Sequence, residues 1–307
     1  MTEQLKLKLN DSKATRWGAL VIVAFTMMAA YYVNDVVAPL KTMLETDLAW
    51  SSTDFGFFTG GYSFLNVFFL MLIWGGLILD RFGIRFTGKL ATILMVGGTA
   101  LEYYAMTGLA GADATLFGIN EIFGYKTGVF VAFAGYSIFG VGAEVAGITV
   151  SKIIAKWFKG KELATAMGVQ VALARIGSQA GYAVAIPLAR AFGISTPVLL
   201  GLVLLLGGMI AFFIFAVMDK KLDKQMEAAA IAAGTEDEEE KFSFKDVKNI
   251  LVNPGFWLIA LLCVLFYSCV FPFQKFASEL MIIKYGINEN VAGTFAGLPA
   301  LGALILT

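Results

Sequence analysis

Long uninterrupted apolar runs dominate the chain. Uncharged stretches cover residues 17–34, 55–79, 191–218 and 249–274, and a further one runs from 290 to 307. Three more appear when single charges are allowed: 89–108 with Glu102, 127–151 with Glu144, and 163–189 with Arg175. A helix rises about 1.5 Å per residue, so crossing a hydrocarbon layer takes about 20 mostly apolar residues. The pattern therefore predicts eight membrane helices. Six form a block over 17–218, and helices 7 and 8 follow over 249–307. A membrane barrel would instead show alternation in segments of about 10 residues. The first run follows a polar tail, residues 1–16, without a small-residue cleavage site, and reads as a retained helix rather than a signal peptide.

The polar segments set the orientation. The linker, 219–248, begins with an Ala-rich stretch, 219–233, expected to be a short amphipathic helix, and continues into a solvated acidic run at 236–240. If the N-terminus is cytoplasmic, seventeen Lys and Arg fall in the tail, loop 2–3, loop 4–5 and the linker, against five on the other side. Positive charge collects on the cytoplasmic side, so the N-terminus is expected there.

Composition narrows the function. Hydrophobic residues make up 58% of the chain and charged residues 15%, against about 25% charge in a soluble domain. Lys+Arg and Asp+Glu are both 23, so no net field points to nucleic acid, and the lipid bilayer is the expected surrounding. With no His in the chain, His-based acid–base chemistry and His metal sites are excluded. No P-loop is present, and no cofactor is expected. Cys263 and Cys269 are expected to be small buried hydrophobes.

Between helices 2 and 3 stands Gly76-Leu77-Ile78-Leu79-Asp80-Arg81-Phe82-Gly83-Ile84-Arg85. Gly76 is expected to permit close helix approach, and Gly83 a tight turn. Asp80 can meet a helix N-terminus or an Arg in one conformational state only, while Arg81 and Arg85 hold the cytoplasmic side. The decapeptide resembles the G-x-x-x-D-R-x-G-x-R signature of the major facilitator superfamily. That resemblance implies an all-α membrane protein, with a six-helix N-terminal bundle, the start of a C-terminal bundle, and alternating access between two halves. Against twelve helices the sequence is expected to be truncated.

A second set of residues is more specific. Phe139-Gly140-Val141-Gly142-Ala143-Glu144, then Lys156-Trp157-Phe158-Lys159-Gly160-Lys161-Glu162-Leu163, then Ala174-Arg175-Ile176-Gly177-Ser178, and Val270-Phe271-Pro272-Phe273, together resemble the lysosomal dipeptide uniporter branch of that superfamily. Tyr136 departs from it, since relatives tend to carry Arg there. The resemblance implies a small-molecule substrate, a dipeptide, and suggests an accessory subunit for which the sequence has no evidence. The lack of an acidic dileucine sorting signal in the tail favours a bacterial inner membrane.

The charges inside the spans can be read without the family. A buried charge costs at least ~2.5–3.5 kcal/mol on insertion scales, so it marks a functional candidate. On helix 4, Ser137, Gly140, Glu144, Gly147 and Ser151 share one face, and on helix 5 Arg175, Ser178, Gln179 and Tyr182 do the same. Two such stripes imply a wet cavity. Gly135 and Gly142 lie on the opposite face of helix 4 and read as packing positions. Glu144 lies ~12 Å and Arg175 ~20 Å from the cytoplasmic end at ~1.5 Å per residue. That offset resembles the ~7 Å between the ends of an extended dipeptide. A carboxylate for the ammonium and a guanidinium fork for the carboxylate suit a zwitterionic peptide; a structural ion pair between the two is the alternative. Tyr31, Asn34 and Asn66 are further candidates for the cavity lining, and Asp35 for the cavity or a helix cap. Glu102 is expected at the interface. Gln274 and Lys275 follow Pro272, where helix 7 should break or kink, and could serve an outer gate. The expected function is a facilitative or proton-linked dipeptide carrier. A carrier of another small anion or zwitterion, and a non-transporting sensor or scaffold, remain alternatives.

Overall fold

The computed structural model describes residues 8–111, 114–233 and 250–306, and it is helical nearly throughout. Helix α1 spans Lys13–Val36, with the Ser12 side chain accepting from the Thr15 backbone N–H as its N-cap. A 3₁₀ turn at Ala38–Leu40 leads into the short α2, Lys41–Asp47. Helix α3, Ser52–Phe68, starts from a capping box in which Ser51 and Asp54 satisfy each other's backbone N–H groups. Then come α4 (Met71–Thr107), α5 (Thr127–Trp157), α6 (Leu163–Phe192) and α7 (Thr196–Ala233). After the linker follow α8 (Pro254–Tyr285), α9 (Glu289–Ala296) and α10 (Leu298–Leu306). A two-residue-per-strand hairpin, Glu121–Ile122 with Tyr125–Lys126, precedes α5.

Glycines show how the helices run. A side chain on Gly61 would strike the Phe133 carbonyl at 2.6 Å, and one on Gly75 would strike Val145 Cγ2 at 2.6 Å. Positions 61 to 75 thus run parallel to α5. On Gly142 a side chain would strike Ala91 O at 2.7 Å, on Gly135 it would strike Gly98 O at 2.7 Å, and on Gly128 Leu109 O at 2.6 Å. From 91 to 109 the chain is therefore antiparallel to α5. The reversal falls at Gly83, the one non-helical residue inside α4 (φ 73, ψ 174), a conformation open to glycine and strained for other residues. Sequence helix 2 is thus α3 plus residues 71–82, and helix 3 is residues 84–107. Gly135 and Gly142 are the packing positions expected of them. Helix α1 lies parallel to α6, with Gly181 against Tyr32 O, and antiparallel to α7, with Gly208 against Thr26 and Gly201 against Val33.

Several expectations are corrected. Among the described residues, four helical stretches are long and apolar enough to cross a membrane on their own, Lys13–Asp47, Thr127–Trp157, Thr196–Ala229 and Pro254–Tyr285. Ser52–Phe68 and Met71–Thr107, bent by 59° at their break, reach that mark only when taken together, and the turn at Gly83 divides them into the expected helices 2 and 3. Polar side chains on α6 and the break between α9 and α10 keep those segments below that mark, although both are helical where spans were expected. Helix 2 is not continuous: Leu70 adopts a left-handed conformation (φ 51) and breaks it. The stretch 219–233 is no separate helix but the end of α7, because nothing in Met218–Asp219 stops the helix. The acidic run at 236–240 lies outside the described residues. Pro272 sits inside α8 without ending it. It is Gly75 that packs against a neighbour, while Gly76 has open space beside it, a register one residue from that expected. Cys263 and Cys269 are exposed on α8, not buried.

The core of the six-helix block is aromatic. Phe55, Phe58, Tyr136 and Phe139 are each fully buried, and the rings of Tyr136 and Phe139 stack at 5.7 Å. Such pairs add about 0.5–1.5 kcal/mol beyond their burial.

Candidate functional site

Polar contacts separate into two ends of the molecule and a middle. At the first end, where α5 finishes, Lys152 Nζ lies 2.8 Å from Asp80 Oδ1, both side chains half exposed. In this conformation Asp80 meets Lys152, the residue that directly follows the expected span 127–151, and the Arg or helix N-terminus expected in one conformational state only is not its partner here. Arg81 instead stacks over Phe82 at 5.5 Å. Arg85 pairs with Asp223 at 2.6 Å and Asp219 at 3.5 Å. Asp219 is fully buried and also accepts from Lys156 Nζ (2.8 Å) and Trp157 Nε1 (3.0 Å). Sequence reading placed Asp219 in the linker and missed this anchor. Its signal was an acidic residue directly at the end of an apolar run, opposite Lys156 and Arg85. Nearby, Arg16 pairs with Glu162 at 3.0 Å and Lys161 with Asp11, so the N-terminal tail lies against the α5–α6 loop. Hydrogen bonds from Arg16 hold the Glu162 carboxyl below its ordinary range, and Lys161 does the same for Asp11.

The second end joins the six-helix block to α8 and α9. Lys41, buried, is bonded to Glu279 and, at 2.7 Å, to Glu45. Arg190 pairs with Glu289. Tyr182 OH donates to Gln274 O at 3.0 Å, and Gln179 Nε2 to Thr294 O at 3.4 Å. Lys275 reaches deepest: its ammonium donates to Asn34 O and Tyr136 OH (3.1 Å) and lies 3.6 Å from Asp35 Oδ1. Asn34 in turn donates to Asp35 at 2.9 Å. Asp35 thus faces an ammonium rather than capping α1. Ala38, Tyr182, Ala277 and Ala296 pack together beside these links. Among the described residues, every polar link between the block and α8–α10 is at this end. The first half of α8 is exposed, with Leu258 at 64% and Leu262 at 66%.

The middle holds Glu144 and Arg175. Glu144 Oε1 accepts from Tyr62 OH at 2.8 Å. The Arg175 guanidinium lies over the Tyr31 ring at 5.5 Å, a cation–π contact. Neither makes an ion pair with a described residue, so the structural ion pair considered for them does not form here. Ser178 Oγ and Asn66 Oδ1 are buried without a hydrogen-bond partner among the described residues, although Asn66 Nδ2 donates to Tyr62 O, and Gln179 Oε1, also without one, is turned toward Gly297. Not every member of the expected stripes faces this space. Gly140 packs on the Tyr62 backbone, and Ser137 and Ser151 return their hydroxyls to their own helix. Glu102 is fully buried, not interfacial. Its helix continues one turn past it and packs on α5, which covers it.

The family model described as Major Facilitator Superfamily matches residues 20–307. The chain belongs to the major facilitator superfamily. It is a membrane protein of the all-α architecture that the signature had implied. It is also similar to proteins named lysosomal dipeptide transporter MFSD1. The one from Homo sapiens is 27% identical over 293 residues, covering 91% of this chain and 57% of that protein. The one from Pongo abelii is 27% identical over 287 residues, covering 89% and 55%. That from Gallus gallus is 33% identical over 171 residues, covering 52% and 36%. The chain spans about half the length of the curated relatives it matches.

Proposed function

We propose that the protein carries dipeptides across a membrane by alternating access, as a carrier and not an enzyme, with Glu144 taking the peptide ammonium and Arg175 its carboxylate. The observation that carries this reading is that two opposite charges sit inside the bundle and are kept apart, each held by a neutral aromatic side chain instead of by the other. Their charge is unspent. A zwitterion supplies both missing counter-charges at once, and charge-assisted contacts of this kind are worth about 1.5–3 kcal/mol each. The partnerless oxygens of Ser178 and Asn66 suit the N–H groups of a peptide unit, while Gln179 serves the contact with α9. Tyr31 and Tyr62 orient the two charged groups. Asn34 and Tyr182 serve the contact with α8. The relatives' printed name supports the substrate class.

The N-terminus is proposed to be cytoplasmic. The bias of Lys and Arg supports this, and so does the tie of Arg16 to Glu162, which keeps the tail on the side of the positively charged loop. On that assignment the described polar links between the block and α8–α10 lie on the outer side. The loop of Gly76, Asp80, Arg81, Gly83 and Arg85 is then the gate at the cytoplasmic side, with Asp80 held by Lys152 in this conformation.

Uptake of labelled dipeptides into proteoliposomes, beside free amino acids and small organic acids, tests the reading. Saturable dipeptide uptake is expected. Uptake of organic acids alone would move the assignment to another small anion, and binding without uptake would make the protein a sensor.

A further inference from the structure

One face of α7 changes character within a single turn. Ile210, Phe213, Ile214 and Val217 recur at three- and four-residue spacing and line a shallow apolar groove. Ile210 is 60% exposed and Val217 71%. The same face then carries Lys220, Lys221 and Lys224, all exposed, until Glu227 ends it a turn further out. The acidic residues at that level, Asp219 and Asp223, are taken by Arg85 and Lys156. A fourth cation comes from the neighbouring helix. A side chain on Gly88 would strike the Phe212 ring, so residues 84–107 pack on α7 here. The next residue, Lys89, holds its ammonium over the Phe213 ring at 5.6 Å. Among the described residues, none of these four lysines pairs with a carboxylate.

We propose that Lys89, Lys220, Lys221 and Lys224, together with the groove on α7, bind an anionic phospholipid, its phosphate among the ammonium groups and an acyl chain along Ile210–Val217. Each part of the face answers to one part of such a lipid. Helix α7 is long and apolar enough to cross a membrane, and its exposed apolar stripe is a surface for acyl chains. From Phe213 to Lys220 the helix rises about 10 Å at about 1.5 Å per residue, and there the face turns basic, as it must at the level of the phosphates. Lys89 stands on the apolar side of that step with only the face of an aromatic ring against its charge. A phosphate between it and Lys220 is gripped from both helices. A zwitterionic lipid brings its own cation beside the phosphate and gains less. The site shares no residue with the one around Glu144 and Arg175, and its chemistry is the same whichever side of the membrane this end faces.

The test is native mass spectrometry of the whole purified protein, delipidated in detergent and titrated with phosphatidylglycerol or with phosphatidylcholine of the same acyl chains. The first phosphatidylglycerol is expected to bind roughly tenfold or more tightly than the first phosphatidylcholine. A lysine near a headgroup contributes a factor of about five, so Lys89→Gln and Lys220→Gln should each weaken the first phosphatidylglycerol by about that much. Replacing Lys220, Lys221 and Lys224 together by Gln should weaken it about 100-fold. Lys159→Gln removes an exposed charge at the same end but off this face, and should leave the affinity unchanged. Excess inorganic phosphate should not displace the lipid. Equal affinity for the two lipids, or an equal loss in Lys159→Gln and Lys220→Gln, would show that charge acts here without a site and overturn the proposal. Displacement by inorganic phosphate would show that the groove contributes nothing, and overturns it equally.

Discussion

Two pairs of opposite charge lie inside apolar helices of this protein, and they are used in opposite ways. Asp35 and Lys275 come from different parts of the chain, α1 and α8, and they meet at 3.6 Å with Asn34 and Tyr136 completing the contact. Glu144 and Arg175 come from α5 and α6 of the same six-helix block, and they do not meet. One carries a tyrosine hydroxyl and the other lies on a tyrosine ring. A charge inside a membrane is costly in either case. Where the pair is closed, its energy holds two parts of the molecule together. On the proposed function, the energy of the open pair is reserved for a ligand, so that the first is a latch and the second a binding site, and the difference lies in whether the neighbours supply a charge or only a dipole.

That contrast breaks most sharply at the latch. Lys275→Gln leaves Asp35 buried without its cation, and breaking a buried pair by removing one partner costs about 3–5 kcal/mol. The Asp35 end should open. In a background with the exposed Cys263 and Cys269 replaced by Ser, Ala38→Cys reports this directly. Ala38 is 2% exposed against Ala277 and Ala296, so a thiol there should label slowly in the parent and many times faster with Lys275→Gln. Equal labelling rates would remove the latch.

The open pair should behave the other way. Glu144→Gln can still accept from Tyr62, and Arg175→Gln breaks no ion pair. Each should change the melting point little, as a change of about 0.5 kcal/mol or less does, while losing roughly 10–100-fold in dipeptide affinity. Calorimetric melting and titration on the same samples check both halves of the statement. A large loss of stability with unchanged affinity would make the pair structural.

Much of this was legible in the sequence, and the failures are instructive. The apolar runs located the helices, and Gly83 located the turn, because both are properties of single segments. The wide spacing of Gly135 and Gly142 on one face of helix 4 marked its packing side for the same reason. What could not be read was which segment meets which. The partner of Lys275 lies 240 residues away at Asp35, and no local pattern records it. The burial of Glu102 depends on α5 covering it, and the exposure of Cys263 and Cys269 on the open face of α8. The choice between Gly75 and Gly76 turns on one residue of register. Helix continuity was misjudged in both directions: Leu70 breaks a uniform apolar run without any Gly or Pro, while Pro272 and the polar start of the linker do not break theirs. Glu144 and Arg175 were legible as charges set apart along the bundle, but the tyrosines that hold them were not.

Smaller effects sharpen the picture at the opposite end. Asp80 and Lys152 are half exposed, and a pair of that kind contributes about 0–1 kcal/mol. Asp80→Asn should therefore leave the fold and the dipeptide Kd unchanged and slow uptake only; unchanged uptake at normal expression would remove the gating role. The smallest effect is on the tail. The Glu162 and Asp11 carboxyls are held below their ordinary range by Arg16 and Lys161. Depressed carboxyls contribute stability that is present above their unfolded range and is lost as pH falls through the folded one. The tail should stay docked at neutral pH and loosen in acid, read as fluorescence of Trp17, whose Nε1 donates to Glu162. A signal flat through the acid range would contradict it.

The open pair is tested most directly by the ends of the peptide itself. Dissociation constants for one dipeptide, free, N-acetylated and C-amidated, can be measured by titration calorimetry on the wild-type protein, Glu144→Gln and Arg175→Gln. The expected result is a roughly 10–100-fold weaker affinity for either blocked peptide on the wild type. Glu144→Gln should lose discrimination against the acetylated form only, and Arg175→Gln against the amidated form only. Equal binding of free and blocked dipeptides by the wild-type protein would contradict the assignment of Glu144 and Arg175 to the peptide's two termini.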